Sequence, residues 1–376
     1  MRTWIVLPLW IGRWVVVISG STPNVNSVEV VLWQLWKAPF AMKKFRTRQF
    51  DRSMLRTQRH PAEGNRIAPI PYLHPVRLPS FIITSLLFLV AGAQAPLAEL
   101  PMTMRGKLLF IDVYLNDDPT PLHVLFDSGA GVTVVDSKVA RERGLVLSGA
   151  LSIGTSGKRV QADRSPGNTI RLGERYMLDS VELYLMDLAH LSAHYKTPID
   201  AILGTDLLSR AVVCTDLDAM RMRIHDPRTY VHAGSAAALT ATELDSGTYG
   251  FPMQVVPDGR KDTIEVLVKI DTGADNHLTF YNHAVAAHGL MREGKRYRSV
   301  RGFGAEPTMT HNRRGRLVAA TVGGHTWRKV PVVYQVDPVN ALSKHACDGL
   351  IGQQLLNDFT ITYDLPAGKV YLEPRK

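Results

Sequence analysis

The chain has 376 residues, 45% of them hydrophobic, which is enough for two ordinary cores, and its formal net charge is +10. Residues 1–93 hold 12 Lys/Arg against 3 Asp/Glu, whereas the rest holds 32 basic and 31 acidic residues. The body is therefore nearly neutral, which argues against a nucleic-acid-binding surface. The two cysteines, Cys214 and Cys347, are too few for a disulfide scaffold or a zinc cluster and leave open either one bridge or two free thiols.

The first 93 residues are predicted to be a leader. Phe81–Val90 (FIITSLLFLV) is a short apolar run between a basic residue and the small-residue sequence AGAQA, the pattern of a secretory signal cleaved before Gln94. The run is shorter than the roughly 20 residues that span a bilayer, so cleavage is favoured over an uncleaved membrane anchor. Translation from Met42 or Met54 would bring this signal close to the N-terminus. We therefore expect an exported protein, periplasmic or secreted, with membrane anchoring through residues 81–90 as the alternative.

The rest of the sequence repeats itself. Val124–Leu145 (VLFDSGAGVTVVDSKVARERGL) resembles Val268–Leu290 (VKIDTGADNHLTFYNHAVAAHGL), and Asp200–Ile224 resembles Asp348–Leu372. Each copy contains an apolar strand, an Asp-Ser/Thr-Gly turn, a second β-rich stretch and a short helical pattern. Such an ordered series indicates two homologous halves.

The spacing within the halves agrees with this interpretation. The tripeptide aspartate precedes the glycine of an apolar-apolar-Gly triad by 77 positions in the first half (Asp127 to Gly204) and by 81 in the second (Asp271 to Gly352). Between the halves, the Ala- and Gly-rich segment Ala233–Gly247 has the composition of a linker. The predicted domains are a leader over 1–93, an N-terminal lobe over 94–235 and a C-terminal lobe over 236–376.

Most remaining segments are short, β-rich and separated by turn residues. In chain order, the predicted strands are Lys107–Leu115, Thr169–Leu172, Val181–Met186, Thr263–Val268, Arg316–Val322, Val330–Val336, Thr360–Tyr363 and Val370–Leu372. Brief helices are expected near Lys138–Arg143, near His283–His288 and after each Leu-Gly or Ile-Gly pair. The predicted fold class is all-β, with two barrel-like lobes related by an approximate two-fold axis and a few short helices.

The two tripeptides can form one chemical site. Each apolar strand fixes an aspartate at its end, and Gly129 and Gly273 allow a sharp turn and a close approach of the opposite loop. The hydroxyl groups that follow each aspartate could hydrogen-bond across the junction. If Asp127 and Asp271 meet, they share one proton, since two carboxylates that close cannot both ionise. The ionised carboxylate can then activate water while the protonated carboxyl donates to a substrate carbonyl.

These motifs resemble those of the aspartic peptidases. FDSGAG and IDTGAD, each followed downstream by Ile-Leu-Gly or Leu-Ile-Gly, are most similar to the retropepsin-like bacterial branch with two fused halves. The resemblance covers roughly residues 107–372. It implies catalytic roles for Asp127 and Asp271, with Ser128, Gly129, Thr272 and Gly273 supporting the dyad. It also implies that Gly204 and Gly352 lie in apolar loops behind the two turns and that the protein acts as an aspartic endopeptidase.

The resemblance further implies a β-hairpin flap downstream of each aspartate. The two Gly-marked candidates are Ser152–Arg159 and Ser299–Ala305. Ala130 and Ala274 stand where pepsin-like enzymes carry a hydroxyl that would stabilise the ionised aspartate. Their presence predicts a less acidic working range.

Two alternatives to a free-standing peptidase remain: a non-catalytic peptide-binding protein on the same fold, and a self-processing precursor.

The histidines of the second half, including His283 and His288, lack ligand-like spacing, and no Gly-x-Ser-x-Gly elbow is present. We expect neither metal nor cofactor, because the chemistry needs only water and a shared proton. The expected partner is a peptide or protein substrate, not nucleic acid, and oligomerisation is not required.

Overall fold

The computed structural model forms two compact units, residues 1–80 and 81–376. In the first unit only short stretches of backbone are described. The described ranges of the chain are 9–11, 14–19, 29–34, 95–154, 159–244, 247–302, 304, 310–337 and 347–375. The predicted signal run at 81–90 lies outside them.

The first unit contains one small antiparallel sheet. Its strands, β1 (Leu9–Ile11), β2 (Trp14–Ser19) and β3 (Glu29–Gln34), pair in chain order, β1 with β2 and β2 with β3.

An eight-stranded sheet takes all its strands from the first repeat. They are β5 (Thr103–Arg105), β6 (Leu108–Leu115), β7 (Leu122–Phe126), β8 (Thr133–Asp136), β9 (Ala150–Gly154), β10 (Arg159–Leu172), β11 (Tyr176–Met186) and β12 (Ala201–Leu203). The order is β5-β6-β7-β12-β8-β11-β10-β9, and a further pairing of β6 with β10 curls the sheet into a barrel.

A ten-stranded sheet takes its strands from the second repeat in the same way. They are β16 (Thr242–Glu243), β17 (Tyr249–Val256), β18 (Ile264–Asp271), β19 (Leu278–Phe280), β20 (Arg298–Gly302), β21 (Thr310–Arg316), β22 (Ala319–Val322), β23 (His325–Arg328), β24 (Pro331–Gln335) and β25 (Gly349–Gly352). The order is β20-β21-β24-β19-β25-β18-β17-β22-β23, with β16 beside β17.

The two halves share a third sheet of six strands. These are β4 (Ala98–Pro101), β13 (Val212–Asp216), β14 (Arg221–His225), β15 (Leu239–Thr240), β26 (Phe359–Asp364) and β27 (Lys369–Pro374), in the order β15-β27-β26-β13-β14-β4. The pairing of β13 with β26 joins the halves. Strands β15 and β16 lie in the segment predicted as a linker, so this connection contains short strands.

The helices are short. They are α1 (Ser137–Glu142), α2 (Ala189–Tyr195), α3 (Thr205–Leu208), α4 (Asn282–Ala287), α5 (Gln353–Leu356) and one 3-10 turn (Leu365–Ala367). Asp136 caps α1, its carboxylate accepting from the N–H groups of Lys138 and Val139. Among the described residues, no helix is both long and apolar enough to cross a bilayer.

The same strand arrangement positions both tripeptides. In the first lobe β12 lies between β7 and β8, parallel to β7 and antiparallel to β8. In the second, β25 lies between β18 and β19 with the same directions. The predicted all-β, two-lobed fold is confirmed. The exact lobe boundary at 235/236 stays a prediction.

Candidate active site

The two aspartates stand at the ends of equivalent buried strands. Asp127 follows Phe126, the last residue of β7, and Asp271 is the last residue of β18, after Ile270. Phe126 is fully buried and Ile270 is 2% exposed. Because both strands lie inside packed sheets, each aspartate starts its turn from a rigid support.

Ser128 and Thr272 connect the two turns through reciprocal hydrogen bonds. The Ser128 N–H donates to Thr272 Oγ1 at 2.9 Å, and Thr272 Oγ1 donates to the Phe126 carbonyl at 2.7 Å. In return, the Thr272 N–H donates to Ser128 Oγ at 3.2 Å, and Ser128 Oγ donates to the Ile270 carbonyl at 2.9 Å. Each buried hydroxyl donates once and accepts once, so this junction is fully hydrogen-bonded.

Gly129 and Gly273 allow the carboxyl groups to meet. A Cβ atom on Gly129 would overlap the Asp271 carboxyl group, and one on Gly273 would overlap the Asp127 carboxyl group. Each glycine is therefore required by the side chain of the opposite turn. The two carboxyl groups therefore lie near each other, and the charge of Asp271 acts on Asp127.

The environment of Asp127 favours its protonated form. Burial and then the nearby charge of Asp271 raise the pKa of Asp127 to about 7. Lys269 and the N–H of Gly129, which donates to Asp127 Oδ1 at 2.8 Å, act in the opposite direction. This environment favours retention of one proton by the pair. The mild working range expected from Ala130 and Ala274 stays a prediction.

The apolar-apolar-Gly triads lie directly behind the turns. Gly204 follows β12 and Gly352 ends β25, and each precedes a one-turn helix. The N–H of Thr205 donates to the Ala130 carbonyl at 2.9 Å, and the N–H of Gln353 donates to the Ala274 carbonyl at 2.8 Å. These matched hydrogen bonds hold both Asp-containing turns from behind.

Both predicted flap segments form part of a β-hairpin. Strands β9 and β10 pair antiparallel with Gly154 opposite Arg159, and β20 and β21 pair with Gly302 opposite Thr310. Most of each tip lies outside the described residues. In the second hairpin, the Gly304 carbonyl lies 3.1 Å from His190 Nε2 on α2 of the first lobe. This hydrogen bond, which the sequence did not predict, connects the β20–β21 hairpin of one lobe to a helix of the other lobe.

Lys269 was also missed as a site residue. Its ammonium group donates to the Gly129 carbonyl at 2.8 Å and lies 3.3 Å from Asp271 Oδ2. Its side chain is 18% exposed and that of Asp271 is 11% exposed. Alignment of the two repeats could have revealed Lys269, because the first half has Leu125 at the equivalent position.

A cavity of about 340 Å³ adjoins the loop that follows Asp271. The loop contributes Asn276 and His277, and the other charged lining residues are Lys107, Arg314 and Arg316. In the described part of the chain, no ion pair links these three cations to a carboxylate within 4.0 Å. Lys107, Arg314 and Arg316 thus give the lining of this cavity a positive charge.

The remaining sequence candidates are not assembled into a further site. Cys214 and Cys347 are free thiols, which decides between the alternatives left open by the sequence. Among the described residues, no group of three or more His, Cys, Asp or Glu side chains is arranged to hold a metal ion.

The paired aspartate turns and the two barrel-like lobes define the site of an acid-protease fold. Residues 111–207 match the family described as Aspartyl protease. This match confirms the relationship to the aspartic peptidases that the motifs predict and supports a peptidase function. It covers the repeat that contains Asp127.

No curated protein gave a significant match. Among solved structures, the aspartic proteinase from Irpex lacteus is similar at 13% sequence identity and a TM-score of 0.44, covering 74% of this chain and 97% of that chain.

Proposed function

We propose that the chain is an aspartic endopeptidase whose water nucleophile is activated between Asp127 and Asp271. The observation that carries the proposal is the reciprocal hydrogen bonding of Ser128 and Thr272, which brings the two carboxyl groups together. Each glycine of the tripeptides leaves room for the opposite carboxyl group.

The proposed reaction uses one proton shared by the pair. The ionised carboxylate removes a proton from water while the oxygen of that water bonds to the substrate carbonyl carbon. The protonated carboxyl donates to the carbonyl oxygen, giving a neutral tetrahedral intermediate. As the C–N bond breaks, the carboxyl that took a proton from water gives it to the leaving nitrogen, and one hydroxyl of the intermediate returns its proton to the other carboxylate as the C=O bond forms. The products are a carboxylic acid and an amine, and the pair again holds one proton.

The basic cavity bears on which peptides this site would accept. Lys107, Arg314 and Arg316 are exposed at its rim, and the burial of His277 and then the charge of Lys107 lower the pKa of His277. A neutral histidine beside three cations suits a carboxylate ligand. We therefore include in the proposal a preference for substrates with an acidic side chain that reaches this cavity.

The proposed location is outside the cytoplasm. Its support is the sequence alone: the apolar run over 81–90 and the small residues after it. Export as a cleaved protein is the proposal, and anchoring through the same run is the alternative.

The direct experiment is digestion of a diverse peptide library by the purified protein from pH 3 to 8. We expect cleavage that a pepstatin-type inhibitor blocks. Peptide binding without cleavage at every pH would instead identify a non-catalytic binding protein. Cleavage restricted to the chain itself, abolished by Asp127→Asn, would identify a self-processing precursor.

A further inference from the structure

The strand partners of Leu125 in the first lobe can be compared with those of Lys269 in the second. Leu125 on β7 pairs with Phe110 on β6 and with Ile202 on β12, and Ile202 pairs with Val134 on β8. All four side chains belong to one buried apolar cluster. The position two residues before Asp127 is thus part of a closed hydrophobic contact.

The equivalent register in the second lobe is more polar and lacks the aromatic side chain. Lys269 on β18 pairs with Gly250 on β17 and with Leu350 on β25, and Leu350 pairs with Thr279 on β19. Compared with the first lobe, phenylalanine is replaced by glycine, leucine by lysine and valine by threonine. The loss of a large aromatic side chain and the gain of a cation thus occur at the same register.

The Lys269 ammonium group extends to the two aspartate turns. It donates to the carbonyl of Gly129, in the first turn, and lies 3.3 Å from Asp271 Oδ2, in the second. The other titratable groups that act on it are Tyr281, Cys347 and Asp127. Burial works against the charge of Lys269, but the groups around it raise its pKa overall, which favours the charged ammonium group.

We propose that Lys269 is a positioning residue for the aspartate pair: it holds the negative charge on Asp271 and leaves the shared proton on Asp127. This inference deepens the proposed function and rests on it for its catalytic meaning. It makes Asp271 the carboxylate that takes a proton from water and Asp127 the group that donates to the substrate carbonyl. It also explains why two near-identical turns would have different roles.

The charge of the cluster sets the pH dependence. With one shared proton, the pair carries one negative charge, which Lys269 neutralises. Without Lys269, the singly protonated pair would leave a net charge of about −1 in a buried site, and full ionisation would leave about −2. Removing the cation should therefore raise both ionisations of the pair by about one to three pH units, the usual effect of an opposite charge at this distance.

Three substitutions separate charge from structure. Lys269→Gln keeps a donor for the Gly129 carbonyl but removes the charge, Lys269→Met removes both, and Lys269→Arg keeps both. Lys295→Met is the matched control, because it removes a lysine whose ion pair with Asp258 lies at the surface of the same lobe. We expect the Gln and Met variants to move the pH–rate profile upward by a similar amount, and Arg and the control to stay within about half a unit of the unmodified protein.

A second readout does not depend on turnover. Carboxyl carbon NMR of protein labelled with ¹³C-aspartate, assigned with Asp127→Asn and Asp271→Asn, follows the two ionisations directly. We expect both to move upward in Lys269→Gln and Lys269→Met. Titrations unchanged in both variants would overturn the role of Lys269. A shift that appears in Lys269→Met but not in Lys269→Gln would also overturn this role, because loss of the hydrogen bond alone would then explain the shift.

The two readouts distinguish this inference from the proposed function. If no peptide is cleaved at any pH but the NMR ionisations move as expected, the peptidase proposal fails and the electrostatic role of Lys269 stands. If peptides are cleaved and neither the profile nor the ionisations respond to loss of the charge, the peptidase proposal stands and this inference fails.

Discussion

The hydroxyl group of Thr272 accepts a hydrogen bond from the backbone N–H of Ser128 at 2.9 Å, across 144 positions of sequence. The same hydroxyl donates to the carbonyl of Phe126. Thr272 is fully buried, so neither partner could turn to water if the hydroxyl were lost. The alignment of the two aspartate turns thus depends on one oxygen atom from each lobe.

Replacing Thr272 by Val should destabilise the protein. The substitution keeps the shape of the side chain but leaves a buried N–H and a buried carbonyl unpaired, at about 1–3 kcal/mol each. Urea unfolding should show a free energy of unfolding that is lower by at least about 1–3 kcal/mol. Thr326→Val is the matched control, since Thr326 is an exposed strand residue, and it should change stability by about 0.5 kcal/mol or less. Equal effects of the two substitutions would contradict the assigned role of the junction.

Asp127 should make stability depend on pH. Its pKa is about 7 in the folded protein against 3.8 as the reference value, so between those values the folded state binds the proton more tightly than the unfolded state. The contribution is therefore complete below about pH 4 and is lost as the pH rises through about 7, by up to about 1.4 kcal/mol per pH unit. Asp127→Asn should remove this decrease in the free energy of unfolding with rising pH. Parallel pH–stability curves for the two proteins, measured by urea unfolding from pH 4 to 8, would show that Asp127 has no raised pKa.

Arg314 should affect substrate choice more than overall activity. It faces the basic cavity, whereas its neighbour Arg313 contacts Ser299 and points to the other side of β21. We expect Arg314→Gln to lower kcat/KM about 5- to 30-fold for peptides with an acidic side chain that reaches this cavity, as for loss of one charged contact of about 1–2 kcal/mol. Neutral analogues should be nearly unaffected. Arg313→Gln is the control, and an identical loss for both variants would rule out a specific carboxylate contact.

His190 should contribute to substrate retention through the second flap. Its ring hydrogen-bonds to the carbonyl of Gly304, connecting α2 to the β20–β21 hairpin. A net hydrogen bond is worth about 0.5–1.5 kcal/mol, so His190→Leu should raise KM about 2- to 12-fold with a smaller change in kcat. His194→Leu on the same helix provides the comparison. If steady-state kinetics give His190→Leu and the unmodified protein the same KM, the contact has no role in substrate binding.

The sequence predicted the parts of the fold that local pattern encodes. Strand β6 was expected over Lys107–Leu115 and runs over Leu108–Leu115, and α4 was expected over His283–His288 and runs over Asn282–Ala287. The predicted helix near Lys138–Arg143 is α1, over Ser137–Glu142. Repetition made these assignments stronger, because each element had a counterpart in the other half.

Features that depend on long-range pairing were not predicted. Strand β14 contains Arg221, Arg223 and His225, so its composition does not suggest a strand, and it forms because β13 and β4 lie on either side of it. Helix α2 was also missed, and with it the contact from His190. Whether Cys214 and Cys347 form a bridge depends on a distance that spacing along the chain does not determine.

The sequence pointed to both carboxyl groups of the candidate site but not to the difference between their surroundings. The repeated Asp-Ser/Thr-Gly motif pointed to both carboxyl groups, and the structure brings them together. Comparison of the halves position by position would have shown Lys269 opposite Leu125. A charged residue in an apolar strand is informative when its repeat partner is buried and apolar.

The proposed mechanism requires Asp127 and Asp271 to act as one unit. A kinetic comparison of Asp127→Asn, Asp271→Asn and the double variant tests this requirement most directly. On a peptide that the unmodified protein cleaves, we expect each single variant to lower kcat by about a thousandfold or more. The double variant should lower it little further, because groups that act together are not additive. A single variant that keeps kcat within about tenfold of the unmodified protein, or losses that multiply in the double variant, would contradict the shared-proton site.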